Sequence, residues 1–306
     1  MSNSSDHQII DIHNHFFNKN TIDAFSKIMP KQFSDRFAKS NPERAKAFEN
    51  LPGPEGRAQQ MLDDMHAKKI SQILPMTFPT DQESGFTIHN LYPKEFPGTV
   101  PFLHPELQPD PAVLDDWKDK GAVAIKFYPA QWSFGFNDER IEKYLDKIRD
   151  LGLGILIHFG VVKGGNMRGT WPAHPLELKP CLRNPKFEDL KYIVCHFGAG
   201  YLEDVLIMAY GYPKNLAVDT SGSNDWLFNS HWPDLTFVFQ RSIEALGSEN
   251  IYFGTDSNFQ LLRQNVIDRQ LGILEDLVTK KIITDDDRWN ILGGNTKKYI
   301  LKGKTE

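Results

Sequence analysis

Four apolar segments of this chain end in side chains that bind metals. The first runs into Asp11-Ile12-His13-Asn14-His15, and later ones end Leu156-Ile157-His158, Val194-Cys195-His196 and Phe253-Gly254-Thr255-Asp256. Two imidazoles on one extended segment can reach a common ion, since their Cα atoms stand about 6–7 Å apart. With a period of two, Asp11 shares that face with His13 and His15. A His-x-His pair is weak evidence alone, because ten histidines in 306 residues produce such spacing readily by chance. Four segments delivering His or Asp at the same end form a much more specific pattern. Three neutral imidazoles and one carboxylate suit Zn²⁺ and also Mn²⁺, Fe²⁺ or Co²⁺, with a position left open for water. A bound ion lowers the pKa of that water towards about 7. Asp256 can then bind the ion and accept a proton, and His196 is free as general acid or base, or to polarise a carbonyl.

Something must bring four distant segments together. Eight short runs of Ile, Val, Leu, Ala and aromatics occur at 8–12, 70–76, 100–103, 122–127, 154–159, 192–197, 216–220 and 251–255. Such continuous apolar blocks are expected of parallel strands buried on both faces. Between them lie amphipathic helix candidates at 55–69, 111–120, 139–151 and 259–280, with closing helices at 285–292 and 296–301. The helix at 139–151 follows Asn137 and Asp138, good N-caps, and stops at Gly152, a good C-terminal residue. Eight strand–helix alternations predict a (β/α)8 TIM barrel, whose chemistry sits at the C-terminal ends of the strands. A doubly wound open sheet would carry a Gly-rich phosphate turn after its first strand. The Asp-Ile-His-Asn-His segment stands there instead. The expected organisation is one domain over 1–306, with a helical insertion at about 17–56 over the barrel mouth.

Composition narrows the function classes. Charged residues make up 25% of the chain and the formal net charge is −5, with no basic run, so neither nucleic acid nor an anionic membrane is an expected partner. No segment approaches the roughly 20 apolar residues of a membrane span, and the polar N-terminus lacks a signal-peptide core. Two isolated cysteines, Cys181 and Cys195, favour a reducing compartment, so a cytoplasmic protein acting on a small molecule is expected.

The segments DIHNHF, AIKFYP, ILIHFG, IVCHFGAG, IYFGTDSNF and ILGGNTKKYI resemble, in order and across nearly the whole chain, the amidohydrolase superfamily. Within it they resemble the amidohydrolase-2 group that includes aminocarboxymuconate-semialdehyde decarboxylase. The resemblance implies that His13, His15, His158 and Asp256 hold one divalent metal, usually zinc, with His196 as the catalytic histidine beside it. It also implies metal-dependent hydrolysis or nonoxidative decarboxylation, and a homodimer. Lys126 ends the fourth run, where binuclear members carry a carboxylated lysine. AIKFYP is closer to the mononuclear group, which leaves Lys126 a charged amine for a substrate carboxylate or a nearby acid. Asp11 is read as orienting a ligand rather than binding metal.

His104 and His174 fall in loops after the third and fifth runs and are read as loop histidines. His7, His66, His89 and His231 have no coordinating pattern around them. The loops at 132–136, 168–171 and 224–226 place aromatics near the mouth, where rim packing explains them as well as a substrate pocket does. Gly198-Ala-Gly200 is attributed to close packing behind His196. The leading expectation is a hydrolase using metal-activated water on a small carboxylated or cyclic amide, ester or lactone. Nonoxidative decarboxylation of an unsaturated or aromatic acid is the alternative, and a non-catalytic metal-binding barrel is the third reading.

Overall fold

The computed structural model describes residues 7–28, 39, 42–160, 173–212 and 214–302. One sheet of eight parallel strands runs in sequence order: β1 (Ile10–His15), β2 (Gln72–Thr77), β3 (Val100–Leu103), β4 (Ala124–Phe127), β5 (Gly154–Ile157), β6 (Tyr192–Val194), β7 (Leu216–Asp219) and β8 (Ile251–Tyr252). The ring closes where the Ile12 N–H donates to the Phe253 carbonyl at 3.2 Å and Asn14 bridges to Ser257. Both faces of the strands are covered, which is why the sequence shows apolar blocks rather than alternation. Ile12, Leu74, Met76, Phe102, Ala124, Leu156, Ile193 and Ala217 fill the barrel. Ile73, Ile125, Ile155, Ile157, Val194 and Val218 pack outward against the helices. The architecture is the expected (β/α)8 barrel.

Strand ends differ from the apolar runs in an instructive way. β1 starts two residues later than its run and continues through His15. β5, β6 and β8 stop short of theirs. His196 and Asp256, beyond the ends of β6 and β8, both have φ of +56°, so the chain leaves the ladder just where the chemical side chains stand. The 139–151 segment is a 3₁₀ turn, Glu139–Ile141, followed by the helix Glu142–Leu151. Asp138 caps it by accepting the Arg140 N–H at 3.0 Å, and Gly152 ends it at φ +63°. Helices Glu83–Leu91, Leu202–Gly211 and Leu235–Leu246 complete the alternation. The closing segments Asn290–Gly294 and Thr296–Leu301 have π-helical hydrogen bonding.

Between β1 and β2 lie helices Lys19–Ile28, Pro42–Glu49 and Pro54–Lys68. Residues 29–38 and 40–41 of the expected insertion lie outside the described residues. Phe17 and Phe48 from this segment stack on each other, and Phe17, Phe25 and Phe48 meet Phe78 and Phe259, from the loops after β2 and β8, at tilted or edge-on angles at the mouth of the barrel. Among the described residues no helix is long and apolar enough to cross a membrane.

Candidate metal centre

The site is built first by an irregularity in β1. Its register with β2 shifts between Asp11 and Asn14. Ile10 and Ile12 face the barrel interior, Asp11 turns into the β1–β8 seam, and the shift returns His13 to the interior. Asp11 therefore does not share a face with His13 and His15, correcting strict alternation. Its carboxylate accepts the His13 N–H at 3.1 Å, the Asn14 amide at 3.1 Å, and the Thr255 N–H and hydroxyl at 3.0 and 2.6 Å. Asp11 thus positions the ligand strand through its backbone and ties it to β8. Burial pushes its carboxyl up to about 6 despite these bonds.

The side chain that orients the His13 ring is Asp219, which the sequence analysis does not single out. It ends β7 and is fully buried. The His13 Nδ1–H donates to its Oδ2 at 2.8 Å, leaving His13 Nε2 aimed at Asp256 Oδ1, 3.8 Å away. Burial and then the Lys126 charge lower His13 to about 3, so its imidazole is neutral and able to ligate. Burial opposes charge on Asp219, but its bond to His13 and the nearby Lys126 hold it well below the usual carboxylate range. A carboxylate behind a metal-directed imidazole fixes the tautomer and raises ligand basicity. The clue to Asp219 was available, since it is an acid at the tip of an apolar strand, as Asp256 is.

The same carboxylate places His196. Asp219 Oδ1 accepts the His196 N–H at 2.8 Å and the Ser221 hydroxyl at 2.5 Å. With that hydroxyl proton committed, Ser221 Oγ accepts from His196 Nδ1 at 2.8 Å, which leaves Nε2 as the acceptor nitrogen, facing His158 Nδ1 at 3.0 Å. His196, Phe197 and Ala199 all have φ between +50° and +56°, costs of roughly 1–3 kcal/mol each that the Asp219 bond helps to offset. Gly198 fits the expected close packing, since a Cβ there would lie 2.9 Å from Val205 Cγ2. Gly200 does not. Its nearest neighbour would be 3.8 Å away, and its φ of +103° is the reason for glycine.

The histidines and Asp256 do not form one equal cluster. His13, His15 and Asp256 bring three donor atoms within 4.8 Å of one another, and His15 Nε2 is 3.1 Å from Asp256 Oδ1. His158 lines the same cavity but is outside that group, with its Nδ1 3.0 Å from His196 Nε2. Burial, then His196 and Lys126, lower His158 well below the ordinary histidine range. Its Nε2 is buried without a hydrogen-bond partner, as is His15 Nδ1, among the described residues. Burial works against Asp256, yet His15 and then His196 and His13 hold its carboxyl below the usual range, so it is ionised. The donor set is therefore imidazoles, with His13 and His158 neutral, and a carboxylate, and it fits a divalent ion.

Lys126 sits on the floor, with Nζ 2.7 Å from Cys195 Sγ and 3.3 Å from His13 Nε2. Above it opens a cavity of about 400 Å³, lined among others by Phe102, Tyr128, Trp226 and Arg263. Arg263 Nη1 stands 3.6 Å from Asp256 Oδ2. Neither Tyr128 nor Arg263 was foreseen, because nothing in their local sequence marks them. The loop after Asp256 is clamped from behind by Arg57, whose Nη2 donates to the Asn258 and Phe259 carbonyls at 3.0 and 2.9 Å. Of the loop histidines, His174 accepts the Leu176 N–H at 3.2 Å and caps a 3₁₀ turn. His7 stacks on Trp289, and the His89 Nδ1–H donates to the Phe96 carbonyl at 2.7 Å. None of these, nor His104, His66 or His231, joins the metal cluster. Residues 168–171 lie outside the described residues.

A closed parallel barrel with imidazoles and a carboxylate at the C-terminal strand ends defines a metal-dependent barrel enzyme. The amidohydrolase family (Amidohydro_2) matches residues 10–299, and the chain belongs to it. It is accordingly an enzyme of the amidohydrolase superfamily, hydrolase or carboxy-lyase, and membership brings with it a divalent metal. The fold is similar to 5-carboxyvanillate decarboxylase from Novosphingobium aromaticivorans, solved with bound manganese (TM-score 0.70, 14% identity, 96% of this chain and 97% of that one). It is also similar to dihydroxybenzoic acid decarboxylase from Polaromonas sp. JS666, again with manganese (0.63, 15%, 97% and 98%). A third similar structure is a 2-pyrone-4,6-dicarboxylic acid hydrolase from Pseudomonas putida (0.63, 16%, 98% and 99%). No curated protein sequence matches the chain.

Proposed function

We propose that His13, His15, His158 and Asp256 hold one divalent ion, and that the site acts on a small carboxylated aromatic or unsaturated ring. The carrying observation is the charge layout: the neutral His13 and His158 imidazoles and an ionised Asp256 lie between the Lys126 amine on the floor and Arg263 at the rim of one cavity of about 400 Å³. The ion, when bound, supplies Lewis-acid polarisation and activation of water. His158 would join it through Nε2, which has no hydrogen-bond partner among the described residues, while its Nδ1–H donates to His196 Nε2 at 3.0 Å. Arg263 forks onto the substrate carboxylate, Phe102, Tyr128 and Trp226 wall its ring, and His196 moves the proton with Asp256.

Nonoxidative decarboxylation is the reading that two of these three similar structures support: His196 Nε2 takes a proton from water or a ring hydroxyl and gives it to the carbon as the bond to CO₂ breaks. Hydrolysis by the same residues is the second reading, supported by the third. Zinc suits the donor set and manganese is the ion of the two decarboxylases, so either metal is compatible with this reading. Both cysteines are free and buried, which suits the reducing cytoplasm.

The test is turnover of carboxylated phenols and pyrone carboxylates in ¹⁸O-labelled water by the metal-loaded protein. CO₂ release with no solvent oxygen in the organic product selects decarboxylation, and label in the product selects hydrolysis. Arg263→Gln is expected to raise KM for carboxylated substrates at least tenfold with a smaller change in kcat. An unchanged KM removes Arg263 from the substrate site. Full turnover by metal-loaded His196→Ala and Asp256→Asn would overturn the proposal.

A further inference from the structure

We propose a second binding site, for a compact oxyanion such as a phosphate group, at the end of the barrel opposite the metal cluster. A cavity of about 620 Å³ opens there, larger than the one at the mouth. Its walls come from the starts of β5 and β6, the turn before β8 and the closing helical segment. Along β5 this end, at Gly154, lies four positions before His158, about 13 Å of strand. That face of a TIM barrel normally serves stability. Here it carries Lys191, Lys214, Lys298, Lys302 and Arg149 against only Asp189 and Glu249. Arg149 is engaged by Asp146 and Asp150. Among the described residues, none of the four lysines has an ion-pair partner.

The built part is Lys191. Its ammonium donates to Asn250 Oδ1 at 2.6 Å and stands 3.8 Å from the centre of the Tyr299 ring. The Lys298 ammonium is 5.0 Å from the same ring. Asn250 is buried and fixed in turn, its Nδ2 donating to the Leu246 carbonyl at 2.7 Å. A half-buried cation is thus held on a rigid neutral partner with a like charge beside it. Burial, with Lys298 adding to it and Glu249 opposing, draws the Lys191 amine down to about 8. Stability alone would place an acid or an apolar side chain here, whereas a bound anion offsets the cost. Ammonium groups act on phosphate as point charges that need no fixed fork. The volume lies within the range of roughly 300–1,000 Å³ that accommodates small molecules.

Calorimetric titration of the metal-loaded full chain with inorganic phosphate, and separately with ribose 5-phosphate, tests the site. One saturable site per chain is expected. Its dissociation constant should rise at least tenfold in Lys191→Met and Lys298→Ala, and stay unchanged in His13→Ala/His158→Ala. Tighter binding of ribose 5-phosphate assigns a phosphorylated metabolite, and equal binding assigns free phosphate. Should Lys191→Met fail to fold, Lys298→Ala and Lys214→Ala, both exposed, must show the loss. Absence of saturation, affinity unchanged by the lysine variants, or binding lost in the mouth variant would each overturn the proposal.

Discussion

At the scale of single residues, Asp219 organises the centre. One oxygen receives the His13 ring and the other receives the His196 backbone and the Ser221 hydroxyl, so the proposed ligand and the proposed proton carrier share one anchor. Asp219→Asn keeps the shape but removes the charge behind His13. Metal affinity is expected to fall about 10–100-fold, the usual effect of losing such a partner, with the circular dichroism spectrum unchanged. Competition with a chelating dye measures it, and parental affinity in the variant would show that Asp219 does not orient a ligand. Sequence order exposes His13, His15, His158, His196 and Asp256 because each stands next to an apolar run. Asp219 has the same position, but a single acid at a strand tip carries no pattern such as His-x-His. Tyr128 and Arg263 reach the cavity through loop geometry, which no local spacing encodes.

Among elements, the β1–β8 seam sets the geometry of the proposed ligands His13, His15 and Asp256. Asp11 bonds across it to Thr255, and the Asp256 N–H donates to the His13 carbonyl at 2.8 Å. Gly254 lies in this seam, where a Cβ would come within 2.9 Å of His13 Cβ and 3.0 Å of Ser221 Cβ. Gly254→Ala is therefore expected to cost about 1–3 kcal/mol by overpacking and to weaken metal binding at the same time. Urea unfolding and a metal titration on the same sample check both. A variant with parental stability and metal affinity would mean that the seam gives freely. All eight strands were legible, because burial on both faces writes continuous apolar blocks. Their ends were not, since apolar character continues through Phe159, Phe197 and Phe253 after the ladder has ended. Helices Glu83–Leu91 and Leu202–Gly211 lack a side-chain N-cap, and only the barrel's alternation demanded them, whereas Leu235–Leu246 carries one in Asp234, which accepts the Phe237 N–H at 2.8 Å and was passed over.

For the whole molecule, the two ends of the barrel carry opposite designs. The mouth gathers imidazoles around an ionised acid, and the base gathers lysines that have no ion-pair partner among the described residues. The base has a consequence for stability. The folded Lys191 amine is depressed from 10.5 to about 8, so between those values the unfolded chain binds more protons and stability rises with pH. Below about pH 8 the folded state carries the full penalty. Lys191→Met is expected to raise the melting temperature at pH 7, with the gain shrinking as the pH approaches 10.5. A gain that does not change with pH would trace the effect to packing instead. Charge totals could not reveal this end of the molecule, because a net charge of −5 averages over the lysines that the fold collects on one face.

The central claim is a single divalent ion held at the mouth, and the most direct measurement is metal per chain by elemental analysis of protein purified without chelator. The expected result is close to one ion per chain, zinc or manganese, lost in His13→Ala/His158→Ala while the barrel remains folded. Two ions per chain would make Lys126 a bridging group and contradict the single-ion site. No ion after reconstitution with either metal would contradict the account altogether.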